Sequence, residues 1–269
     1  MKKQIVLRAK YIQLLYKTNF GEVHCGDCLE VMKNIPDESI DMILCDLPYG
    51  VTGCRWDSVL PFDLLWGQYE RIIKKDRAIV LTAVQPFSSA LVMSNAKLFR
   101  YEWIYNKIRG GNFQQANFAP MKCHEQILVF SKRPAIFNKG GSMVYSPQKT
   151  KGTKYVSTMG NMGNIVRNGS PLKKLETKQD GRYPISIQTF AKDKSVFHPT
   201  QKPVALFEYL IKTYTNDEDL VLDNCAGSGT TGVACINTKR KFVLIEKEYK
   251  YFEIIKKRIE MTNLQKNIL

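Results

Sequence analysis

Short apolar runs alternate with segments of helical spacing at both ends of this chain, and that alternation restricts the fold more than any single motif. Strands are expected at 23–25, 41–45, 78–82, 101–105, 126–130, 220–222 and 241–245. Helical spacing falls between them, at about 27–34, 61–73, 86–97, 203–213, from the glycine-rich turn to 237, and 249–259. Proline opens the helix at 203, where its missing N–H costs nothing. Strands alternating with helices predict an α/β fold on a parallel-type sheet. A length of 269 residues is enough for a full core, and 44% hydrophobic with 24% charged residues is globular composition.

Between the two regular flanks the composition changes. Residues 131–203 carry 14 basic and 3 acidic groups, a net of +11, whereas 1–130 carry +3 and 204–269 carry +1. The chain's +15 is therefore concentrated in its middle, which also holds Gly140, Gly141, Gly152, Gly160, Gly163, Gly169, Gly181, Pro134, Pro147, Pro171 and Pro184. Loops and short elements are expected there, forming a contact module for a polyanion, nucleic acid above all. No run of 18 apolar residues predicts a membrane helix. Met1-Lys2-Lys3 looks like the start of a signal peptide, but Arg8 and Lys10 interrupt the apolar stretch behind it, so secretion is not expected. Seven scattered cysteines fit reduced thiols in a cytoplasmic protein better than a disulfide framework.

Two strand ends carry chemistry. The run Leu220-Val221-Leu222-Asp223-Asn224-Cys225-Ala226-Gly227-Ser228-Gly229-Thr230-Thr231-Gly232 puts glycines at the tip of a strand, where backbone can approach a ligand and a helix begins. It is not a phosphate-binding loop, because Thr230 and Thr231 stand where Lys and Ser/Thr would be needed. Glu246, 17 residues beyond Gly229 at the end of the next strand, stands where an acid binds ribose hydroxyls in nucleotide-type folds. The other strand end is Cys45-Asp46-Leu47-Pro48-Tyr49-Gly50. Pro48 holds Leu47 extended, so the Asp46 carboxylate and the Leu47 carbonyl can accept the two hydrogens of a ring amine while Tyr49 stacks on the ring.

Together these runs resemble the DNA amino-methyltransferases. Asp-Leu-Pro-Tyr is similar to their Asp-Pro-Pro-Tyr motif, with Leu47 where proline is usual, and Asp223 to Gly229 resembles their S-adenosylmethionine loop, with Cys225 where an aromatic is common. Gly26-Asp27-Cys28-Leu29, Ile35 to Asp41, Gln85-Pro86-Phe87, His124 to Phe130 and His198-Pro199-Thr200-Gln201-Lys202-Pro203 extend the resemblance over most of the chain. The catalytic motif precedes the cofactor motif, similar to the permuted β-type arrangement. The resemblance implies a Rossmann-like S-adenosylmethionine-dependent methyltransferase fold of circularly permuted motif order with an inserted basic target-recognition region. It divides the chain into a catalytic half at 1–130, the insert at 131–197, and a cofactor-binding half at 198–269.

Residue by residue, the resemblance implies that Asp46, Leu47, Pro48 and Tyr49 hold the target base. Asp223, Cys225, Gly227 and Gly229 would shape the cofactor loop, Glu246 hold its ribose, and Asp27 with Cys28 border its adenine. Thr200 and Lys202 would lie near the methionine end, where Lys202 can pair with a carboxylate. The implied reaction is methyl transfer from S-adenosylmethionine to the amine of a base flipped out of double-stranded DNA. Asp at position 46 favours N6 of adenine. N4 of cytosine is the alternative substrate, and a DNA-binding protein with an inactive methyltransferase fold the alternative function. Dimerisation is common among similar proteins, and the resemblance leaves a cognate restriction endonuclease open as a partner. No membrane partner and no metal are expected. Cys25 and Cys28 form a single pair, without the second pair a zinc site needs. Arg109-Gly110-Gly111-Asn112, with Phe113 and Phe118 nearby, has equal claims as a DNA-contacting loop and as plain surface.

Overall fold

A computed structural model describes residues 4–8, 11–51, 53, 57–136, 139–152, 181–195, 197–198 and 200–268. The middle of the basic stretch, with Gly160, Gly163, Gly169 and Pro171, lies outside these residues, as does Pro199. The chain forms two compact units, Met1–Ser146 with Ser186–Leu269, and Pro147–Ile185. Within the smaller unit, Thr150 and Arg182 exchange backbone hydrogen bonds of 3.1 and 2.9 Å.

Among the described residues, the larger unit holds one sheet of ten strands: β1 (Gln4–Arg8), β2 (Tyr11–Lys17), β3 (Gly21–Cys25), β4 (Ile40–Asp46), β5 (Ile73–Ala83), β6 (Phe99–Gly111), β7 (Lys122–Ser131), β8 (Ile187–Thr189), β9 (Leu220–Asp223) and β10 (Lys241–Glu246). Their spatial order is β1-β2-β3-β10-β9-β4-β5-β7-β6-β8. The helices are α1 (Cys28–Met32), α2 (Phe62–Ile72), α3 (Phe87–Ser94), α4 (Val204–Tyr214), α5 (Thr230–Asn237) and α6 (Tyr249–Ile268). Among the described residues no helix is long and apolar enough to cross a membrane.

The expected parallel sheet needs a correction. Neighbours from β3 through β10, β9 and β4 to β5 are parallel, but β7 runs antiparallel to β5 and β6, and β1–β2–β3 form an antiparallel meander. The parallel centre is buried on both faces. On β4, Met42 and Leu44 enter one core with α4, α5 and α6, while Ile43 and Cys45 enter the other with α2 and α3. Continuous apolar runs such as Met42-Ile43-Leu44-Cys45 follow from that double burial.

The order of the central strands creates the crevice. From β4 the chain moves outward to β5; from β9 it moves the other way, to β10, which borders β3. The two strands side by side at this reversal, β4 and β9, are about 180 residues apart in sequence and pair as Met42 with Val221 and Ile43 with Leu222. In open α/β sheets, ligands bind beyond the carboxyl ends of strands at such a switch point.

Candidate active site

The carboxyl ends of β4 and β9 open into a cavity of about 370 Å³, within the usual range for cofactor pockets. Its walls bring together Asp46, Leu47, Pro48 and Tyr49 from β4, Asp223, Cys225 and Gly227 from β9, Glu246 from β10, Asp27 and Cys28 from α1, and Thr200 and Lys202. Of the residues expected to hold the base or the cofactor, Gly229 alone stands back from the wall, as the left-handed residue (φ 79°) that begins α5.

Asp46 ends β4 inside a ring of donors. Its Oδ1 accepts from the Tyr49 hydroxyl at 2.6 Å, from Lys202 Nζ at 2.8 Å and from the Thr82 hydroxyl. Its Oδ2 accepts from Lys202 at 2.7 Å. Thr82 reaches Asp46 because β4 and β5 pair in register, Asp46 beside Thr82. Lys202 also lies 3.2 Å from Glu125, which in turn meets Lys107 at 3.2 Å. Burial alone would pull the Lys202 ammonium down in pKa, but Asp46, with Tyr49 and Glu125, holds it well above the ordinary lysine value. Burial and the Asp46 charge together push the Tyr49 phenol well up, so it stays a donor. The Tyr49 ring lies 5.2 Å from that of Phe87, and the Lys202 cation 5.6 Å from its centroid.

The backbone around Asp46–Tyr49 is fixed by residues of two kinds. Leu47 buries its side chain in the core with α2 and α3, so the position where proline is usual is anchored by packing instead. After Tyr49 the chain turns through Gly50 in the left-handed region (φ 68°), and the buried Asp57 accepts from Gly50 N–H at 2.8 Å and Val51 N–H at 2.9 Å.

On the opposite wall, Glu246 Oε2 accepts from Gly227 N–H at 2.7 Å and Oε1 from Glu248 N–H at 2.8 Å. Each oxygen keeps a lone pair for one further donor, as a vicinal diol requires. Burial pushes the Glu246 carboxyl up to about 7, against those two backbone donors. Burial likewise raises Asp223 to about 6, although Thr231 and Cys225 N–H donate to it. Gly227 (φ 53°) faces open space: a Cβ built there meets no atom within 4 Å, which leaves the cradle that a bound group would fill. Asp27 caps α1, accepting from Leu29 N–H at 3.0 Å, and its other oxygen lies 3.4 Å from Lys247. His198 packs on Tyr251 at 4.4 Å and meets the Thr200 hydroxyl at 3.0 Å.

Cys25 and Cys28 enter cores on opposite faces of the sheet and do not form one site. The Cys225 thiol, hydrogen-bonded with Cys28 and Cys45, is held well above its ordinary pKa, and the same contact lowers that of Cys28. Sequence reasoning missed Thr82 and Asp57, and gave Glu125 no role. A polar residue closing the strand beside β4 was the available signal for Thr82. For Glu125 there was none beyond its motif, because the direction of β7 cannot be read locally.

A family model described as DNA methylase, for N6 and N4 enzymes, matches residues 40–257. Curated relatives include the type II methyltransferase M.HpaI of Haemophilus parainfluenzae, 27% identical over 248 residues, covering 88% of this chain and 73% of that protein. The DNA adenine methyltransferase YhdJ of Escherichia coli (strain K12) is also 27% identical, over 270 residues, covering 91% and 86%. Among solved structures, the cytosine-N4-specific PvuII DNA methyltransferase superposes with a TM-score of 0.65 at 16% identity, covering 92% of each chain. The M1.HpyAVI–SAM complex gives 0.59 at 23% identity, covering 88% of this chain and 99% of that one. At these identities the structural likeness speaks for the fold: the α/β fold of S-adenosylmethionine-dependent DNA methyltransferases.

Proposed function

The chain belongs to the N6/N4 DNA methylase family, and from that premise we propose that it methylates the N6 amine of an adenine flipped out of double-stranded DNA. S-adenosylmethionine is the cofactor of this family; when bound, it supplies an electrophilic sulfonium methyl group. The residues lining the cavity suit it. Glu246 has the free lone pairs to accept a ribose diol, Gly227 offers open space at the glycine loop, and Asp27 and Cys28 border the same wall.

The base side follows from the electronics of an aryl amine, whose lone pair is delocalised into the ring and is a poor nucleophile. Accepting both amine hydrogens localises that pair. Among the described residues, Asp46 Oδ1 already accepts from three donors, whereas Oδ2 accepts only from Lys202, so Oδ2 is the oxygen with room for the amine. The Leu47 carbonyl takes the second hydrogen, and Tyr49, backed by Phe87, offers its ring face. Lys202 keeps Asp46 oriented, and Glu125 shares the Lys202 charge, so the Asp46 carboxylate can stabilise the positive charge that develops on the amine. Positioning supplies much of the rate, and no covalent enzyme intermediate is needed.

The observation that carries this reading is Asp46 at the switch point, lining the cavity that the glycine loop also lines. Aspartate at this position favours adenine, and the Escherichia coli relative is named an adenine enzyme. The basic stretch at 131–197 is assigned to target recognition, and the site of action to the cytoplasm, in keeping with six free cysteines among the described residues. Asp46→Ala is expected to lower methyl transfer by about 10²–10³-fold or more while cofactor binding, measured by calorimetry, is retained. Turnover near the wild-type level would overturn the assignment of Asp46.

A further inference from the structure

The tip of the β6–β7 hairpin has no part in the cavity, yet its chemistry is one-sided. Residues 111–124 are all exposed, and Phe113 and Phe118 show 82% and 89% of their surface to solvent. Two large aromatics exposed on one short tip present apolar surface to a partner. The tip is also built rather than loose. Asn112 in the left-handed region (φ 61°) opens a 3-10 turn, and Gln115 N–H donates to Asn112 O, with Phe118 N–H and Ala119 N–H donating to Gln115 O, each at 2.9 Å. From Asn106 to Lys122 the chain contains no carboxylate, while Arg109 and Lys122 flank the tip and Gln114 and Asn117 offer amides.

The register fixes where this tip stands. Asp46 pairs with Thr82, Thr82 with Ile127 and Ala83, the last residue of β5, with Gln126. Residues 122–125 of β7 therefore run past the carboxyl edge of the sheet, the edge at which Asp46 sits. Glu125 lies at the foot of this overhang, 3.2 Å from Lys202 and so joined to the Asp46 cluster. At about 3.3 Å per residue, the tip stands roughly 10 Å or more beyond that foot.

We infer that the β6–β7 tip is a wedge for duplex DNA, with Phe113 or Phe118 filling the gap that a flipped target base leaves in the stack. The inference rests on the DNA-methyltransferase reading above and adds the element that opens the helix. Extruding a base costs stacking and pairing, and an aromatic or apolar side chain inserted at the step recovers part of that cost. The flanking cations and the absence of carboxylates suit the phosphates on either side of the gap, and a second copy of this equally basic tip would be repelled by it.

The test uses the full chain and its double variant Phe113→Ala/Phe118→Ala. Plasmid DNA from an unmethylated host is first treated with the wild type and the methylated positions mapped. Duplexes carrying that site are then made with 2-aminopurine at the target position, and adenine duplexes with the partner base either matched or mismatched. The wild type is expected to raise 2-aminopurine fluorescence on binding. The variant should lose that rise and lose about tenfold or more in kcat/KM on matched duplex. A mismatch opposite the target should restore its rate, and its melting temperature and cofactor affinity should equal the wild type's. Unchanged fluorescence and rate in the variant would overturn the wedge while leaving the methyltransferase reading intact. A fall from dimer to monomer in sedimentation would make the tip a self-interface, also overturning it. No methyl transfer by the wild type would overturn the parent reading, and the wedge with it.

Discussion

The sharpest consequence at the scale of single residues belongs to Glu246. Its carboxyl titrates near 7 because burial opposes its charge, whereas in the unfolded chain it titrates near the ordinary 4.5. Between those values the folded protein holds the proton that the unfolded chain has lost, so this group's contribution to stability is greatest at low pH and falls as pH rises through about 7. If Glu246 holds the cofactor ribose as proposed, cofactor binding runs the opposite way, because the ionised carboxylate is the better acceptor for a ribose diol. Calorimetric titration of S-adenosylmethionine should show affinity rising from pH 6 to pH 8, and Glu246→Gln should flatten that rise and weaken binding throughout. A pH-independent affinity in the wild type would remove Glu246 from the ribose. Residues like Glu246 and Asp46 were legible in sequence because an acid directly after an apolar run has few structural uses. Asp57, which ties down the turn after Tyr49 from seven residues away, looks like any loop aspartate until the turn is seen.

Among the elements, the glycine loop from β9 to α5 separates two demands that one motif hides. Gly227 and Gly229 both take positive φ, which costs an ordinary residue about 1–2 kcal/mol. Their surroundings differ. A Cβ on Gly229 meets Ile255 of α6 at 3.0 Å, whereas one on Gly227 meets nothing and enters open space beside Glu246. Gly229→Ala is therefore expected to lower the melting temperature more, by strain plus crowding, with cofactor affinity changed less. Gly227→Ala should lose affinity out of proportion to its stability. Equal effects of the two on both measurements would contradict this division. The strands and helices that place this loop were largely readable from apolar periodicity. The β1–β2 hairpin was not, since Ala9 and Lys10 between its strands carry no turn signal. Nor was the antiparallel direction of β7, which is set by pairing with β5 and β6 and brings Glu125 to Lys202.

For the molecule as a whole, function rests on a topological fact that no local window contains. Asp46 and the glycine loop meet only because β4 and β9, far apart in sequence, are neighbours at the point where the strand order reverses. The motifs point to the residues proposed to act, and the sheet shows how they come to line one cavity. The excess charge at 131–203, whose central residues lie outside those described, is the polyanion contact proposed for the same chain. The most direct measurement incubates the purified protein with unmethylated DNA and isotopically labelled S-adenosylmethionine, digests the DNA to nucleosides and resolves them by mass spectrometry. Label on N6-methyladenine is the expected result. Label on N4-methylcytosine would overturn the choice of base while keeping the clamp, and no label in DNA from a protein that binds the cofactor would contradict the proposed reaction itself.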